Sequence, residues 1–160
     1  MKTLVVFGHG LGDAVVLSSA IKNWYNQKGY KLSIAMQKRF EQANLWKNCP
    51  YLEETPYILS DPWNDFGRFN TKVGFPSILQ EGIDWAKSNN YDEVCMIWDQ
   101  PNNYLVKNYN DMLNLKMEDA DPEVWISDDD SLFAEEEIMR LVGNHKFAFI
   151  QIHSGDPNRS

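Results

Sequence analysis

Residues 3–13 read TLVVFGHGLGD, and this stretch decides the fold. Residues 3–7 are apolar and predict a buried β-strand. A helix is predicted to begin near Asp13, because an apolar stripe follows it at helical spacing: Leu17, Ala20, Ile21 and Trp24. Residues 8–12, the glycine turn, therefore join a strand to a helix. In open α/β sheets such turns lie beyond the carboxyl ends of strands, beside helix N-termini that attract anions, so we predict that this turn opens on a ligand cleft.

Composition and charge narrow the class of protein. The chain has 160 residues, 43% of them hydrophobic, which suits one globular domain or one domain plus a piece of another. Its net charge of −8 opposes binding to nucleic acid or anionic lipid. No apolar run is long enough for a secretion signal or a membrane span. Cys49 and Cys95 lack metal-ligand or redox spacing, so we expect reduced cysteines and a cytoplasmic location.

Strand and helix patterns alternate after the first helix, which Gly29 is predicted to end. This alternation predicts an α/β fold with a Rossmann-like parallel sheet and helices on both faces. The predicted strands are residues 31–35, 57–59 and 93–98, with a short extended stretch at 124–126. The predicted helices are residues 39–47, 78–88 and 103–115.

The C-terminal part predicts a helix and then an isolated strand. The helix begins near Asp128, and residues 147–152, FAFIQI, form the strand. A strand with no following helix is an incomplete unit in an alternating fold. We therefore predict one domain over residues 1–143, with residues 144–160 as the junction and first strand of a second, donor-side domain. The unpaired edge of that strand predicts self-association.

The order of these parts resembles the N-terminal half of the ADP-heptose:lipopolysaccharide heptosyltransferase family. Its members are glycosyltransferases of the GT-B type, with two facing Rossmann-like domains. Four stretches carry the resemblance: residues 7–20, 48–54, 90–97 and 149–159. It implies inverting transfer from a nucleotide sugar such as ADP-heptose to a hydroxyl, in lipopolysaccharide biosynthesis, with no metal and no other cofactor. It also implies that residues 1–160 alone are inactive, since the sugar nucleotide binds mainly to the second domain.

Asp13 is the candidate catalytic residue. An attacking hydroxyl loses its proton during glycosyl transfer, and a positioned carboxylate can accept that proton. The resemblance implies this role, whereas the spacing alone is also explained by an acidic cap on the first helix. We predict that Gly10, Leu11 and Gly12 bind substrate through close backbone approach. The alternative for the glycines is a tight turn that demands positive φ.

Other candidates follow two later strands. Asp99 comes after the strand at 93–98 and is predicted to contact acceptor hydroxyls, unless it only forms the turn before Pro101. His153, Ser154 and Gly155 correspond to the donor-phosphate residues that the resemblance implies, although serine stands here where the family usually has proline.

Several polar and aromatic groups have simpler explanations beside functional ones. His9 is expected to face solvent rather than to bind phosphate. Ser18 and Ser19 are expected to allow close helix packing. Residues 128–130, DDD, are assigned to a helix cap after Ser127 rather than to a metal site. For an irregular aromatic segment we weigh an acceptor-binding loop equally with a cover over the sheet: Trp63, Phe66, Phe69 and Phe75.

Two other functions stay open on the sequence alone. A Rossmann-like module could bind a nucleotide or phosphate at the glycine turn without catalysis. A dinucleotide-dependent oxidoreductase is disfavoured, since no acidic residue ends the second strand at 34–36. The excess of acid also favours a neutral glycan or a protein hydroxyl as acceptor over a phosphorylated one.

Overall fold

A computed structural model describes residues 1–61, 65, 71–97, 104–143 and 145, with the backbone alone for 71–75. The strands are β1 (Thr3–Phe7), β2 (Ser33–Gln37), β3 (Tyr57–Leu59) and β4 (Glu93–Ile97). The helices are α1 (Leu11–Lys28), α2 (Thr71–Ser88), α3 (Leu105–Met112) and α4 (Asp128–Val142), with a 3-10 helix at Lys38–Ala43. The chain divides into two compact units, Met1–Trp125 and Ile126–Ser160.

The four described strands form one parallel sheet in the order β3-β2-β1-β4. β1 is central and pairs Val5 with Ile34 of β2 and with Cys95 of β4. Every residue of β1 is buried, as expected for a parallel strand covered on both faces. The predicted α/β fold class, a Rossmann-like sheet with helices, is confirmed.

Side chains of β1 alternate between two apolar clusters, one on each face of the sheet. Val5 and Phe7 pack with residues of α1 and α3. Leu4 and Val6 pack on the opposite face, where α2 contributes Ala86. The period-2 alternation of a strand therefore divides one apolar run between two helical layers.

Helix α1 follows the predicted stripe and ends where predicted. Its four apolar stripe residues are buried: Leu17, Ala20, Ile21 and Trp24. Gly29 takes φ of 75°, and its N–H donates to Tyr25 O at 2.9 Å. Positive φ favours glycine, so this C-cap explains why the helix stops there.

Several predicted boundaries were wrong. β2 lies two residues further along the chain than predicted and ends at a buried Gln37. Helix α2 begins at Thr71 instead of residue 78, and Pro76 lies inside it. Residues 124–126 belong to no strand. The strand predicted at 147–152 lies outside the described residues.

Residues 116–123, which we call the strap, run along α1 in the opposite direction and are held by its side chains. Gln27 Nε2 donates to Lys116 O at 2.7 Å, and Lys116 N donates to Gln27 Oε1 at 3.0 Å. Ser18 Oγ accepts a bond from Glu123 N at 2.7 Å, so Ser18 does more than allow close packing. Lys22 forms ion pairs with Asp119 and Glu123.

Helix α4 is described by itself. Ser127 Oγ accepts a hydrogen bond from Asp130 N at 3.1 Å, and Asp130 Oδ2 accepts one from Ser127 N at 3.3 Å. This capping box confirms the assignment of the acidic run to a helix start. Within the described part of the chain, no helix has the length and apolar character needed to cross a membrane.

Candidate functional site

The glycine turn lies at the carboxyl edge of the sheet, between the end of β1 and the start of α1. From β1 the chain passes to β2 on one side, whereas β4 pairs on the other side. Loops that leave neighbouring strands in opposite directions open a crevice at the carboxyl edge, the usual ligand position in open α/β sheets. The turn therefore lies at the topological switch point of the sheet.

Asp13 is held at the N-terminus of α1 by a backbone amide. Gly10 is the N-cap, its carbonyl accepts a bond from Ala14 N at 3.0 Å, and Asp13 occupies position N3. Asp13 Oδ2 accepts a bond from Gly10 N at 3.3 Å. The side chain is partly exposed. Asp13 thus has the contact expected of a cap and also the exposure required of a proton acceptor.

The glycines of the turn are not explained by backbone conformation. Gly10 has φ of −77°, and the described glycines with positive φ are Gly29 and Gly143. The alternative that positive φ demands Gly10 and Gly12 is therefore wrong. A Cβ added at Gly10 would lie 3.7 Å from Asp13 Oδ2, and one added at Gly12 would have nothing within 4 Å. Glycine at both positions leaves the surface beside Asp13 open.

The other two side chains of the glycine turn, His9 and Leu11, are both partly buried. Leu11 is partly buried and packs against the cluster that contains Phe7. The ring of His9 lies 5.3 Å from the ring of Phe7 at 57°, and His9 is half-buried. The expectation that His9 faces solvent is wrong, since its ring packs on the end of β1.

Polar side chains from β2 and the segments after β2 and β3 complete the described part of this edge. Gln37 is fully buried at the end of β2, and its Nε2 donates to Gly8 O at 2.5 Å. After β3, Asp61 is 8% exposed and pairs with Arg39, with 2.7 Å between Oδ2 and Nη1. Ser60 N and Oγ donate to the two carboxylate oxygens of Glu81 at 2.8 and 2.7 Å.

These groups were missed in the sequence. Gln37 ends a strand of apolar character, and Asp61 follows a strand of only three residues. Their positions in the sequence could have indicated them. A polar residue at the carboxyl end of a predicted parallel strand faces the same edge of the sheet as the glycine turn. Arg39 and Asp61 form an ion pair, so the positive charge of Arg39 is compensated by the Asp61 carboxylate.

The other predicted site residues are not brought to the turn by any described contact. Asp99, His153, Ser154 and Gly155 lie outside the described residues, as do Trp63, Phe66 and Phe69, and nothing is described of the side chain of Phe75. Their predicted roles stay predictions. Among the described residues, no group of three or more His, Cys, Asp or Glu side chains could hold a metal ion.

Comparison with solved structures finds a similar fold in a glycosyltransferase. The chain is similar to the crystal structure of a glycosyl transferase family 9 protein from Veillonella parvula DSM 2008, with a TM-score of 0.62 and 11% sequence identity. The match covers 87% of this chain and 49% of that chain, so this chain spans about half the length of that protein. No protein family and no curated protein sequence matches the chain. At this identity the likeness shows the fold that the two proteins share.

Proposed function

We propose that this chain is the acceptor-side half of a heptosyltransferase-like, inverting glycosyltransferase, with Asp13 as general base. The observation that carries the proposal is the position of Asp13, which is partly exposed at the switch point of the sheet and oriented by the Gly10 amide. The fold likeness to half of a family 9 glycosyltransferase supports the same assignment.

Inverting glycosyl transfer requires one carboxylate as general base. An acceptor hydroxyl approaches over Gly10 and Gly12, which have no side chains of their own. Its oxygen attacks the anomeric carbon of the donor sugar while Asp13 takes its proton. The bond from the anomeric carbon to the diphosphate oxygen breaks, and the nucleotide diphosphate leaves with the electron pair. Attack opposite the leaving group inverts the anomeric centre, so no covalent enzyme intermediate forms.

The residues assigned to the donor nucleotide sugar lie outside the described site. We assign the nucleotide sugar, for example ADP-heptose, to a second domain that begins at residues 144–160, with His153, Ser154 and Gly155 near its phosphates. Asp99 is assigned to the acceptor hydroxyls. A neutral glycan fits the acceptor side, because the described carboxyl edge carries acidic groups and its arginine is already paired. A role in lipopolysaccharide biosynthesis and a cytoplasmic location belong to the same proposal.

The test compares two acids that occupy the same helix position. Asp13 in α1 and Asp130 in α4 are both N3 residues whose carboxylates accept the N-cap N–H. In the full protein encoded by the reading frame that contains this chain, Asp13→Asn should lower the transfer rate by roughly 10²–10⁴-fold, the usual contribution of a general base. Asp130→Asn should leave the rate within about threefold, since a cap mainly affects stability.

The outcomes separate catalysis from capping. If both variants keep transfer and lose similar stability, Asp13 is a cap and the general-base assignment fails. If the full protein binds a nucleotide but transfers no sugar to any glycan, the non-catalytic Rossmann-like module is the better assignment. Residues 1–160 alone should transfer no sugar, and robust transfer by this chain would refute the division of donor and acceptor between two domains.

A further inference from the structure

Gln37 is an unusual residue for its place in the fold. It ends β2, all of whose residues are buried, and its side chain is fully buried. Glutamine is mostly found at protein surfaces, because burying a carboxamide is unfavourable unless its polar atoms find partners. An apolar side chain would extend the strand without that requirement.

The carboxamide of Gln37 is directed at the glycine turn. Its Nε2 donates to Gly8 O at 2.5 Å and to His9 O at 3.3 Å. These bonds use both amide hydrogens and fix which end of the carboxamide faces the turn. Gly8 is itself buried, so its carbonyl needs a donor from within the protein.

The other end of the same carboxamide has no partner in the described part of the chain. Gln37 Oε1 is buried and accepts no hydrogen bond there. A buried acceptor without a donor destabilises the folded state. The fold alone therefore does not favour glutamine here, and its contacts with the turn are what distinguish it from leucine or methionine.

We propose that Gln37 is the positioning residue of the glycine turn and, through the turn, of Asp13. Gln37 fixes the carbonyls of Gly8 and His9, and the next residue, Gly10, donates its N–H to Asp13 Oδ2. Loss of the carboxamide leaves both carbonyls without this donor and frees the peptides that orient the Gly10 N–H. The relevance of this to catalysis rests on the proposed function, but the mechanical link from Gln37 to Asp13 does not.

The experiment measures the turn directly in the 160-residue chain by amide hydrogen exchange and NMR. Gln37→Met removes the donor and keeps the length of the side chain. Gln37→Glu can donate to Gly8 O only when the carboxyl is protonated. Ser33→Ala is the matched control, because Ser33 is also buried in β2 but lies at the other end of the strand from the glycine turn.

We expect Gln37→Met to lower the protection factor of the Gly10 amide about tenfold, as for the loss of one hydrogen bond, and to shift the resonances of residues 8–13. Gln37→Glu should behave alike at alkaline pH, where its carboxylate cannot donate, and regain protection as acidification brings the pH to neutral, because burial against two carbonyl oxygens favours the protonated carboxyl. Ser33→Ala should leave Gly10 unchanged.

Wild-type protection at Gly10 in Gln37→Met would overturn the proposal, as would an equal loss in Ser33→Ala. If Gln37→Met fails to fold, Gln37→Glu decides, because absence of recovery on acidification would also overturn it. None of these readouts requires sugar transfer, so this test stays valid even if Asp13 is not a general base. In the same way, a negative result for Gln37 does not disprove the general-base role of Asp13.

Discussion

Asn23 of α1 and Asp119 of the strap exchange a reciprocal pair of hydrogen bonds. Asn23 Nδ2 donates to Asp119 O at 2.8 Å, and Asp119 N donates to Asn23 Oδ1 at 3.0 Å. Asn23 is fully buried and its Nδ2 also donates to Asn110 Oδ1 of α3 at 2.9 Å. One side chain therefore joins α1, α3 and the strap, and it pairs with the strap backbone as a neighbouring strand would.

Replacing Asn23 by leucine should destabilise the fold. The change keeps the approximate size of the side chain but removes the partner of the Asp119 N–H and C=O groups and the donor to Asn110 Oδ1, whereas Asn110 Nδ2 keeps its bond to Val106 O. Each unsatisfied buried group costs about 1–3 kcal/mol, so we expect a loss in that range or above it in urea unfolding. Asn26→Leu, at an exposed position of the same helix, should change stability by less than about 0.5 kcal/mol. Equal effects of the two substitutions would show that the strap contributes nothing to stability.

Gly82 of α2 should tolerate no side chain. A Cβ built there would lie 2.4 and 2.8 Å from the two γ-carbons of Val6 in β1, closer than carbon atoms approach in folded proteins. Gly82→Ala should therefore destabilise the protein by about 1–3 kcal/mol through overpacking, despite the better helix propensity of alanine.

A double-mutant cycle with Val6→Ala tests this cause. Val6→Ala removes the clashing carbons, so the double variant should lose less stability than the sum of the single variants. If the stability losses of the two single variants simply add in the double variant, contact with Val6 is not the cause of the Gly82→Ala effect.

Gly12→Ala should stabilise the fold, in contrast to Gly82→Ala. The position lies in the first turn of α1 with open space around it, so alanine should stabilise the fold by up to about 1 kcal/mol in thermal or urea unfolding. The added methyl group also occupies the surface over which the acceptor is proposed to approach. The transfer rate of the full protein should therefore fall while its stability rises. An unchanged transfer rate would remove Gly12 from the substrate-binding surface.

The two cysteines should react slowly in the folded chain. Burial raises the pKa of the Cys49 thiol to about 11, and burial followed by the nearby Glu93 raises that of Cys95 to about 11. At pH 8 the thiolate fraction, and with it the labelling rate, should be roughly two hundredfold below that of an unfolded cysteine with a pKa near 8.5.

The same shifts make stability depend on alkaline pH. Because each folded-state pKa lies above the unfolded value, the neutral thiols favour the fold below about pH 8.5, and this contribution declines as pH rises through 11. Native-state labelling with a thiol reagent, compared with labelling in urea, checks the predicted slow reaction of the two cysteines. Rapid labelling of both residues at pH 8 without unfolding would contradict it.

The sequence predicts those features of the fold that depend on local patterns. Phe7, Leu17 and Ile21 were found because burial of one helix stripe or strand imposes a period that a single sequence displays. Gly29 was found because positive φ selects glycine. These features are local, and local patterns are sufficient to infer them.

The rest depends on partners that are distant in the sequence. Asn23 and Gln37 are buried because backbone groups 96 and 29 residues away need donors or acceptors, and no periodicity records such a need. At the candidate site, the turn and Asp13 could be predicted from local spacing. The buried carboxamide that contacts the turn could not, since its role exists only when β1 and β2 pair.

The order of the strands also bears on how the chain is made. β1 leaves the ribosome before the other described strands, yet its second neighbour, β4, ends at Ile97, about 60 residues after Gln37. At roughly 5–20 residues per second, synthesis of that interval takes about 3–12 s. During this time one flank of the newly made β1 has no strand to pair with, so nascent chains present a bare parallel edge to chaperones and to one another.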